Sequence, residues 1–145
     1  MTIRSFAPAV FAVCFCVCAA ASVDESNHTG APDWPALAGV ERVEVLTTDA
    51  DGELRETVIW MAVYQGVAYL RTSGGSHWGD NIARDSDIVL RIEDEEYPLR
   101  ATPVSDETLL AGVHATFREK YRWFDAVAGV IRGRNPRTMR LAPRE

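Results

Sequence analysis

Alternating apolar and polar residues mark the central part of the chain. Residues 42–48 alternate, as expected of a half-exposed strand, and Asp49-Ala50-Asp51-Gly52 after them is typical of a hairpin turn. The next strand, about 54–63, is apolar on both faces in its later half, which predicts burial on both sides. A turn at Tyr64-Gln65-Gly66 leads into a third strand that ends at Arg71-Thr72. These patterns predict a β-meander.

The pattern beyond this meander predicts a short helix and two further strands. The helix covers Asp80–Arg84, and the first strand covers Asp87–Ile92. Asp94-Glu95-Glu96 turns the chain into a strand over Tyr97–Val104. Two prolines interrupt that last strand, at positions 98 and 103, which favours a place at the edge of a barrel.

A longer helix is predicted before the last strand. Ser105-Asp106-Glu107 offers an N-cap and acidic residues for its first turn. The apolar residues that follow are spaced by three and four, as on one face of a helix: Leu110, Val113, Phe117, Tyr121, Phe124, Val127 and Ile131. Asn135-Pro136 ends the helix, and Thr138–Leu141 is predicted to be the final strand. The order of elements predicts a mainly β fold, a six-stranded closed antiparallel barrel with a short helix after strand 3 and a helical insert before strand 6.

The N-terminal residues predict a secretory signal peptide over 1–21. A single Arg4 precedes the apolar run Phe6–Ala21, which ends in small residues suited to cleavage. An uncleaved membrane anchor and lipidation of a cysteine are the alternatives. We therefore expect an exported protein, periplasmic or secreted, with an irregular lead-in over 22–40 and a barrel domain over 41–145. Asp33-Trp34-Pro35 in the lead-in is expected to place an aromatic ring on the barrel wall.

Composition excludes several classes of protein. The chain has 145 residues and a formal net charge of −6, which disfavours a nucleic-acid partner. All three cysteines lie in the predicted signal peptide, so the mature domain would contain no disulfide. Metal-binding spacings, a Walker loop and a Gly-x-Ser-x-Gly elbow are lacking, and we expect no metal.

Candidate chemistry is concentrated where the third strand ends. Arg71 and Thr72 run into the loop Ser73-Gly74-Gly75-Ser76, which precedes the short helix. Backbone N–H groups of such a loop, together with a guanidinium, suit a phosphate or a carboxylate.

The order of residues around this loop resembles a known family. Trp60, the hairpin, Tyr69–Thr72, Gly74-Gly75, Trp78-x-x-Asn81 and a strand at Ile88 are similar to the flavin- and deazaflavin-binding split β-barrels related to pyridoxamine-phosphate oxidase. The resemblance covers roughly Arg42 to the C-terminus. It implies a homodimer with FMN or a deazaflavin at the subunit interface. It also implies that Arg71 and Thr72 contact the phosphate, and that Ser76, Trp78 and Asn81 belong to the loop and helix that close over the cofactor.

Each candidate residue also has a structural interpretation. Arg71 would pair with Asp80 or Asp85 at the surface, Trp78 would pack the short helix onto the barrel, and Asn81 would satisfy loop backbone. His77 and His114 do not form a ligand set, although His77 adjoins the loop. The arginines at 132, 134, 137, 140 and 144 form either a solvated basic face or a surface for anions or lipid headgroups.

Two hypotheses about function follow. The first is an exported flavin- or deazaflavin-dependent oxidoreductase that acts on a small organic substrate, with no catalytic residue assigned. The second is an exported split-barrel module without redox activity that binds a small ligand or a protein partner. The sequence leaves open the substrate, the redox partner and the choice among flavin, deazaflavin and heme.

Overall fold

The computed structural model describes residues 30–122 and 136–144. Its elements in chain order are β1 (Arg42–Thr48), β2 (Leu54–Tyr64), β3 (Val67–Thr72), α1 (His77–Arg84), β4 (Asp87–Ile92), β5 (Glu95–Pro103), α2 (Glu107–Lys120) and β6 (Arg137–Pro143). The predicted signal peptide and the distal part of the predicted long helix, including Phe124, Val127 and Ile131, lie outside the described residues.

The six strands close into an antiparallel barrel in the order β1-β2-β3-β6-β5-β4. β4 pairs back onto β1, with Val89 opposite Leu46, and β3 pairs with β6, with Leu70 opposite Met139. The predicted fold class is confirmed. The helices follow β3 and β5, as the sequence pattern predicts.

The expectation that β5 lies at a barrel edge is wrong. β5 pairs with β4 over Glu95–Arg100 and with β6 over Leu99–Pro103, so it has a neighbour on each side. Pro98 lies in the part of β5 that pairs with β4 alone, so its missing N–H takes no hydrogen bond away from β6. The proline is therefore compatible with a closed barrel.

Two apolar clusters hold the barrel and its long helix together. The interior cluster includes Met61, whereas the adjacent Ala62 faces a second cluster with Val113, Phe117 and Tyr121 of α2 or its end. The predicted burial of β2 on both faces is confirmed here, because α2 covers the outer face. Burial of β1 exceeds the prediction, since Leu46 on its outer face is 6% exposed, between Glu56 and Val89 of the flanking strands.

Local signals account for how the helices begin. The Asp106 side chain accepts a hydrogen bond from the Leu109 N–H at 2.7 Å, which confirms the predicted N-cap of α2. α1 begins at His77, three residues before the predicted start, because Trp78 already turns into the barrel interior. Trp34 belongs to the same interior cluster, whereas the sequence predicts its ring only on the barrel wall. No helix among the described residues has the length and apolar composition needed to cross a membrane.

Candidate ligand-binding site

A cavity of about 470 Å³ opens beside the end of β3, between β2 and the C-terminal end of α2. Its charged lining residues are Glu41, Arg42 and Arg71, and Ser73 adds a hydroxyl. Four aromatic side chains form much of the remaining wall: Trp60, Trp78, Phe117 and Tyr121. Flat apolar walls with a few charged groups are typical of sites for small organic ligands.

Arg71 lies where the third strand approaches α2. It pairs with Thr138 of β6, and its guanidinium carbon is 4.7 Å from the centroid of the Phe117 ring. A guanidinium over an aromatic face is held by a cation–π contact that leaves its charge in place. Each of the two acids of the alternative interpretation accepts a hydrogen bond from another group. Asp80 accepts from Arg137 at 2.9 Å, and Asp85 accepts from the Asp87 N–H at 3.0 Å.

Three aromatic rings continue from Arg71 along the wall. The Phe117 and Tyr121 centroids are 6.0 Å apart with an interplanar angle of 26°. Tyr121 and Trp60 stack more closely, at 4.9 Å and 13°. Offset stacking of this kind fixes ring orientation and stabilises each pair beyond its buried area. The wall is therefore a series of contacting groups from Arg71 to Trp60.

Hydrogen bonds anchor this wall to the barrel. The Tyr121 hydroxyl lies 2.6 Å from the Glu41 carbonyl and 2.7 Å from the Met61 carbonyl, and the two oxygens share its single proton. Burial raises the pKa of Tyr121 to about 12, because the phenolate would lose solvation. Lys120 donates to the carbonyls of Val40 and Met61, and burial lowers its pKa. Lys120 and Tyr121 thus attach the C-terminal end of α2 to the residues just before β1 and to β2.

Trp78 packs as its structural interpretation expects and also reaches the cavity. Its side chain is 6% exposed and belongs to the interior cluster, so it packs α1 onto the barrel. The same residue lines the cavity. Of the five residues predicted to bind cofactor, Arg71 and Trp78 are brought together at the cavity.

Thr72 and Ser76 lie beneath α1 and not on the cavity wall. Thr72 is fully buried, and neither hydroxyl oxygen has a hydrogen-bond partner among the described residues. Both pack against Gly79, where an added Cβ would lie 2.7 Å from Ser76 Oγ and 3.2 Å from Thr72 Cβ. α1 can approach β3 this closely because residue 79 has no side chain. The predicted phosphate contact of Thr72 stays a prediction, and so does the predicted place of Ser76 in the loop that closes over the cofactor.

Asn81 attaches α1 to the turn between β1 and β2. Its side-chain amide donates to Thr47 Oγ1 at 3.0 Å and to Asp49 Oδ1 at 2.6 Å, and its oxygen accepts from Arg84. Hydrogen bonds from Arg55 and then Asn81 lower the pKa of Asp49 to about 2. Asn81 lies away from the cavity lining, and its side chain bonds other side chains of the fold and not the loop backbone that its structural interpretation names.

The histidines occupy separate positions. His77 is exposed at the start of α1, and His114 Nε2 lies 3.1 Å from Thr138 Oγ1. The described residues contain no group of three or more His, Cys, Asp or Glu side chains arranged to hold a metal ion. The basic face is partly neutralised, since Arg137 pairs with Asp80 and Arg144 donates to the carbonyls of Ile88 and Leu99. Arg132 and Arg134 lie outside the described residues.

Phe117 and Tyr121 line the cavity although the sequence pattern does not assign them to the site. Both are apolar positions on the predicted helix, and their spacing of four places them on one face. Spacing alone does not show which part of the barrel that face covers. The sequence signal for this part of the site is a pair of aromatic residues, four positions apart, on a helix that follows the strands.

Fold and cavity together place the chain in the class of split β-barrel proteins. The chain resembles HutZ, the heme storage protein from Vibrio cholerae, with 18% identity, coverage of 72% of this chain and 82% of HutZ, and a TM-score of 0.59. It also resembles the conserved hypothetical protein Rv2991 from Mycobacterium tuberculosis, with 19% identity, coverage of 83% and 86%, and a TM-score of 0.62. The F420-H2 dependent reductase FDR-A matches with 17% identity, coverage of 71% and 95%, and a TM-score of 0.56. At these identities the likeness shows the fold, which confirms the predicted split barrel.

Two other comparisons found no relatives. No family model matches the chain, and no curated protein matches it either.

Proposed function

We propose that this protein is an exported split-barrel oxidoreductase that holds FMN or a deazaflavin in the cavity and acts on a small organic substrate. The observation that carries the proposal is the wall on which Arg71 lies over Phe117 and is followed by Tyr121 and Trp60. A wall of this composition suits a molecule with a flat ring system and a negatively charged group. The solved structures of similar fold support the proposal, because one of them is an F420-H2 dependent reductase.

The lining residues fit such a cofactor. Arg42 and Arg71 supply two positive charges against one carboxylate, Glu41, so the described lining favours an anion. Ser73 adds a hydroxyl next to Arg71 that can donate to an oxyanion. Trp60 and Trp78 offer aromatic surface on two different elements, β2 and α1. These residues would hold the cofactor by charge and ring contacts.

The bound cofactor would supply hydride transfer, and the protein would bind it, orient it and exclude water. Trp78 closes one side of the cavity as part of the interior cluster, and Tyr121 closes another at 7% exposure. No catalytic residue is assigned. The hydroxyl of Tyr121 is held by two carbonyls with its pKa raised to about 12, so it stays protonated at neutral pH.

A binding assay tests the proposal directly. The purified protein is titrated with FMN and separately with a deazaflavin, and quenching of cofactor fluorescence is followed to saturation. Arg71→Ala is expected to weaken binding by about 10- to 100-fold, since a hydrogen bond to a charged group contributes about 1.5–3 kcal/mol. Arg140→Ala is the matched control, because Arg140 is exposed on β6 and does not line the cavity. Equal binding by the wild type and Arg71→Ala would contradict the proposal.

A binding module without redox activity is the second candidate. The engagement of the Tyr121 hydroxyl favours it, because this group is held in the fold and not presented to a substrate. Anaerobic reduction of the bound flavin, followed by addition of a quinone, separates the two candidates. Reoxidation faster than that of free reduced flavin supports the oxidoreductase, and reoxidation at the same rate or slower supports the binding module.

Export and assembly as a homodimer are further parts of the proposal. Leu54 and Val58 are 62% and 60% exposed on the same face of β2, and Val58 also lines the cavity. A partner subunit that covers Val58 would also cover the cavity mouth, which fits a cofactor at the subunit interface. Cell fractionation with size-exclusion chromatography tests both parts. Cytoplasmic retention would exclude export, and a monomer at micromolar concentration would exclude the dimer.

A further inference from the structure

Heme is the second kind of ligand associated with this fold, through the heme storage protein HutZ. Proteins hold heme iron with an axial His, Cys, Met or Tyr. Whether this chain can ligate heme iron therefore depends on where these four residue types lie relative to the cavity. This argument rests on the proposed function, in which the cavity is the ligand site.

The methionines and histidines of the described residues are placed elsewhere. Met61 and Met139 are fully buried inside the barrel. His77 is exposed at the start of α1, and His114 bonds Thr138 on the neighbouring strand. Neither histidine belongs to the cavity lining. The lining oxygens of Glu41 and Ser73 fall outside the set of groups that holds heme iron.

Tyr121 is the remaining candidate on the described wall. A tyrosine that ligates iron binds through its phenolate oxygen, but the proton of this hydroxyl is shared by the carbonyls of Glu41 and Met61. Ligation would leave both carbonyls without this donor and would place a charge where burial disfavours one. The ring is also held by Trp60 on one side. Tyr121 is thus committed to the fold.

The sequence extends this pattern beyond the described residues. Positions 123–135 contain no His, Cys, Met or Tyr. The remaining histidine, His28, and the three cysteines lie within positions 1–29, where the cysteines belong to the predicted signal peptide.

We infer that this chain's own lining provides no axial ligand to heme iron, and that Arg71, Ser73 and the aromatic rings suit a flat anion held without a bond to a metal. The inference separates this chain from the heme function named for HutZ although the two share a fold. It narrows the cofactor choice that the sequence leaves open, in favour of flavin or deazaflavin.

Visible spectroscopy of the purified protein with ferric heme tests the inference. We expect heme to stay free or to associate without protein ligation, so that the Soret and visible bands are the same for wild type, His28→Ala, His77→Ala, His114→Ala and Tyr121→Phe. Added imidazole should then shift the bands as fully as it does for unligated heme. A saturable low-spin spectrum, or a tyrosinate-type charge-transfer band, that one of these substitutions abolishes would overturn the inference.

The FMN titration is run in parallel and keeps two failures apart. Heme ligated by a side chain would overturn the inference whatever the result with FMN. Absence of FMN and deazaflavin binding, with heme left unligated, would overturn the proposed function and leave the statement about axial ligands standing. Tyr64→Phe is the control for Tyr121→Phe, since Tyr64 does not line the cavity.

Discussion

The hydroxyl of Tyr121 carries the most specific stability prediction. In Tyr121→Phe the ring stays, so its stacking on Trp60 and Phe117 is retained, and the one hydroxyl proton shared by the Glu41 and Met61 carbonyls is lost. This shared hydrogen bond contributes about 1 kcal/mol net, and its loss costs more where a carbonyl is left without a donor. The Met61 carbonyl keeps Lys120 as a donor at 3.0 Å, which limits the loss on that side. We expect a loss of about 1–2 kcal/mol, or roughly 4–8 °C in Tm at about 4 °C per kcal/mol.

The dependence on pH gives the prediction a second readout. The pKa of Tyr121 is raised to about 12 in the folded protein, against about 10 for an unperturbed tyrosine. The neutral phenol is therefore favoured by folding. Its stabilising contribution is complete below pH 10 and is lost as the pH rises through 12. The difference in unfolding free energy between wild type and variant should be constant from pH 7 to 9.5 and should shrink above pH 10.

Urea denaturation followed by tryptophan fluorescence at a series of pH values measures both effects. The control is Tyr64→Phe, because the hydroxyl of Tyr64 accepts a single bond from Gln65 at an exposed position. We expect that variant to stay within about 0.5 kcal/mol of wild type. A Tyr121→Phe protein as stable as wild type, or a difference that persists unchanged at pH 12, would refute the reasoning.

Three other substitutions test particular contacts. Gly112→Ala would place a Cβ 2.5 Å from Tyr64 Cζ, so we expect urea denaturation to show a loss of about 1–2 kcal/mol in unfolding free energy. In a Tyr64→Ala background the clash is absent and only helix propensity acts, so the same substitution should raise the unfolding free energy by up to about 1 kcal/mol. Thr72→Val removes a buried hydroxyl without a partner among the described residues and should raise the unfolding free energy by about 1 kcal/mol. Weaker FMN binding by this variant would support the predicted phosphate contact of Thr72, and unchanged binding would oppose that contact. Asp49→Asn removes a carboxylate whose pKa is lowered to about 2 by Arg55, so wild type should be more stable than the variant above pH 4, and this advantage should vanish as the pH falls from 4 to 2. The same difference in unfolding free energy at pH 2.5 and at pH 5 would contradict the lowered pKa of Asp49.

The strands could be predicted because their information is local. Alternation at Arg42–Thr48 and the two-sided apolar run ending β2 both reflect contacts that a strand makes wherever it lies in a barrel. The start of α1 was less accessible, because His77 and Trp78 carry no helix signal of their own. The position of β5 between two strands does not follow from the sequence, since a proline does not show at which register a second partner begins.

The site divides along the same line between local and long-range information. Arg71 could be predicted because it ends a strand beside a glycine-rich loop, and that pattern is contiguous in sequence. Phe117 and Tyr121 could not, because they reach Arg71 and Trp60 only through the way α2 crosses β2. That crossing depends on close approach at Gly112 and on the bonds from Lys120 and Tyr121 to Met61, contacts that join distant parts of the chain.

These anchors imply that cavity shape and fold stability are coupled in this protein. The same rings that line the cavity, Phe117 and Tyr121, also form the cluster that attaches α2 to the barrel. A ligand that contacts them and binds only the folded state would stabilise the attachment of α2, by an amount set by its concentration relative to its Kd. Substitutions of Lys120 or Tyr121, whose side chains bond the Met61 carbonyl, should then weaken both fold stability and ligand affinity. Arg71→Ala should weaken ligand affinity with a smaller loss of fold stability. A comparison of the two kinds of variant separates the residues that build the wall from the one that supplies its charge.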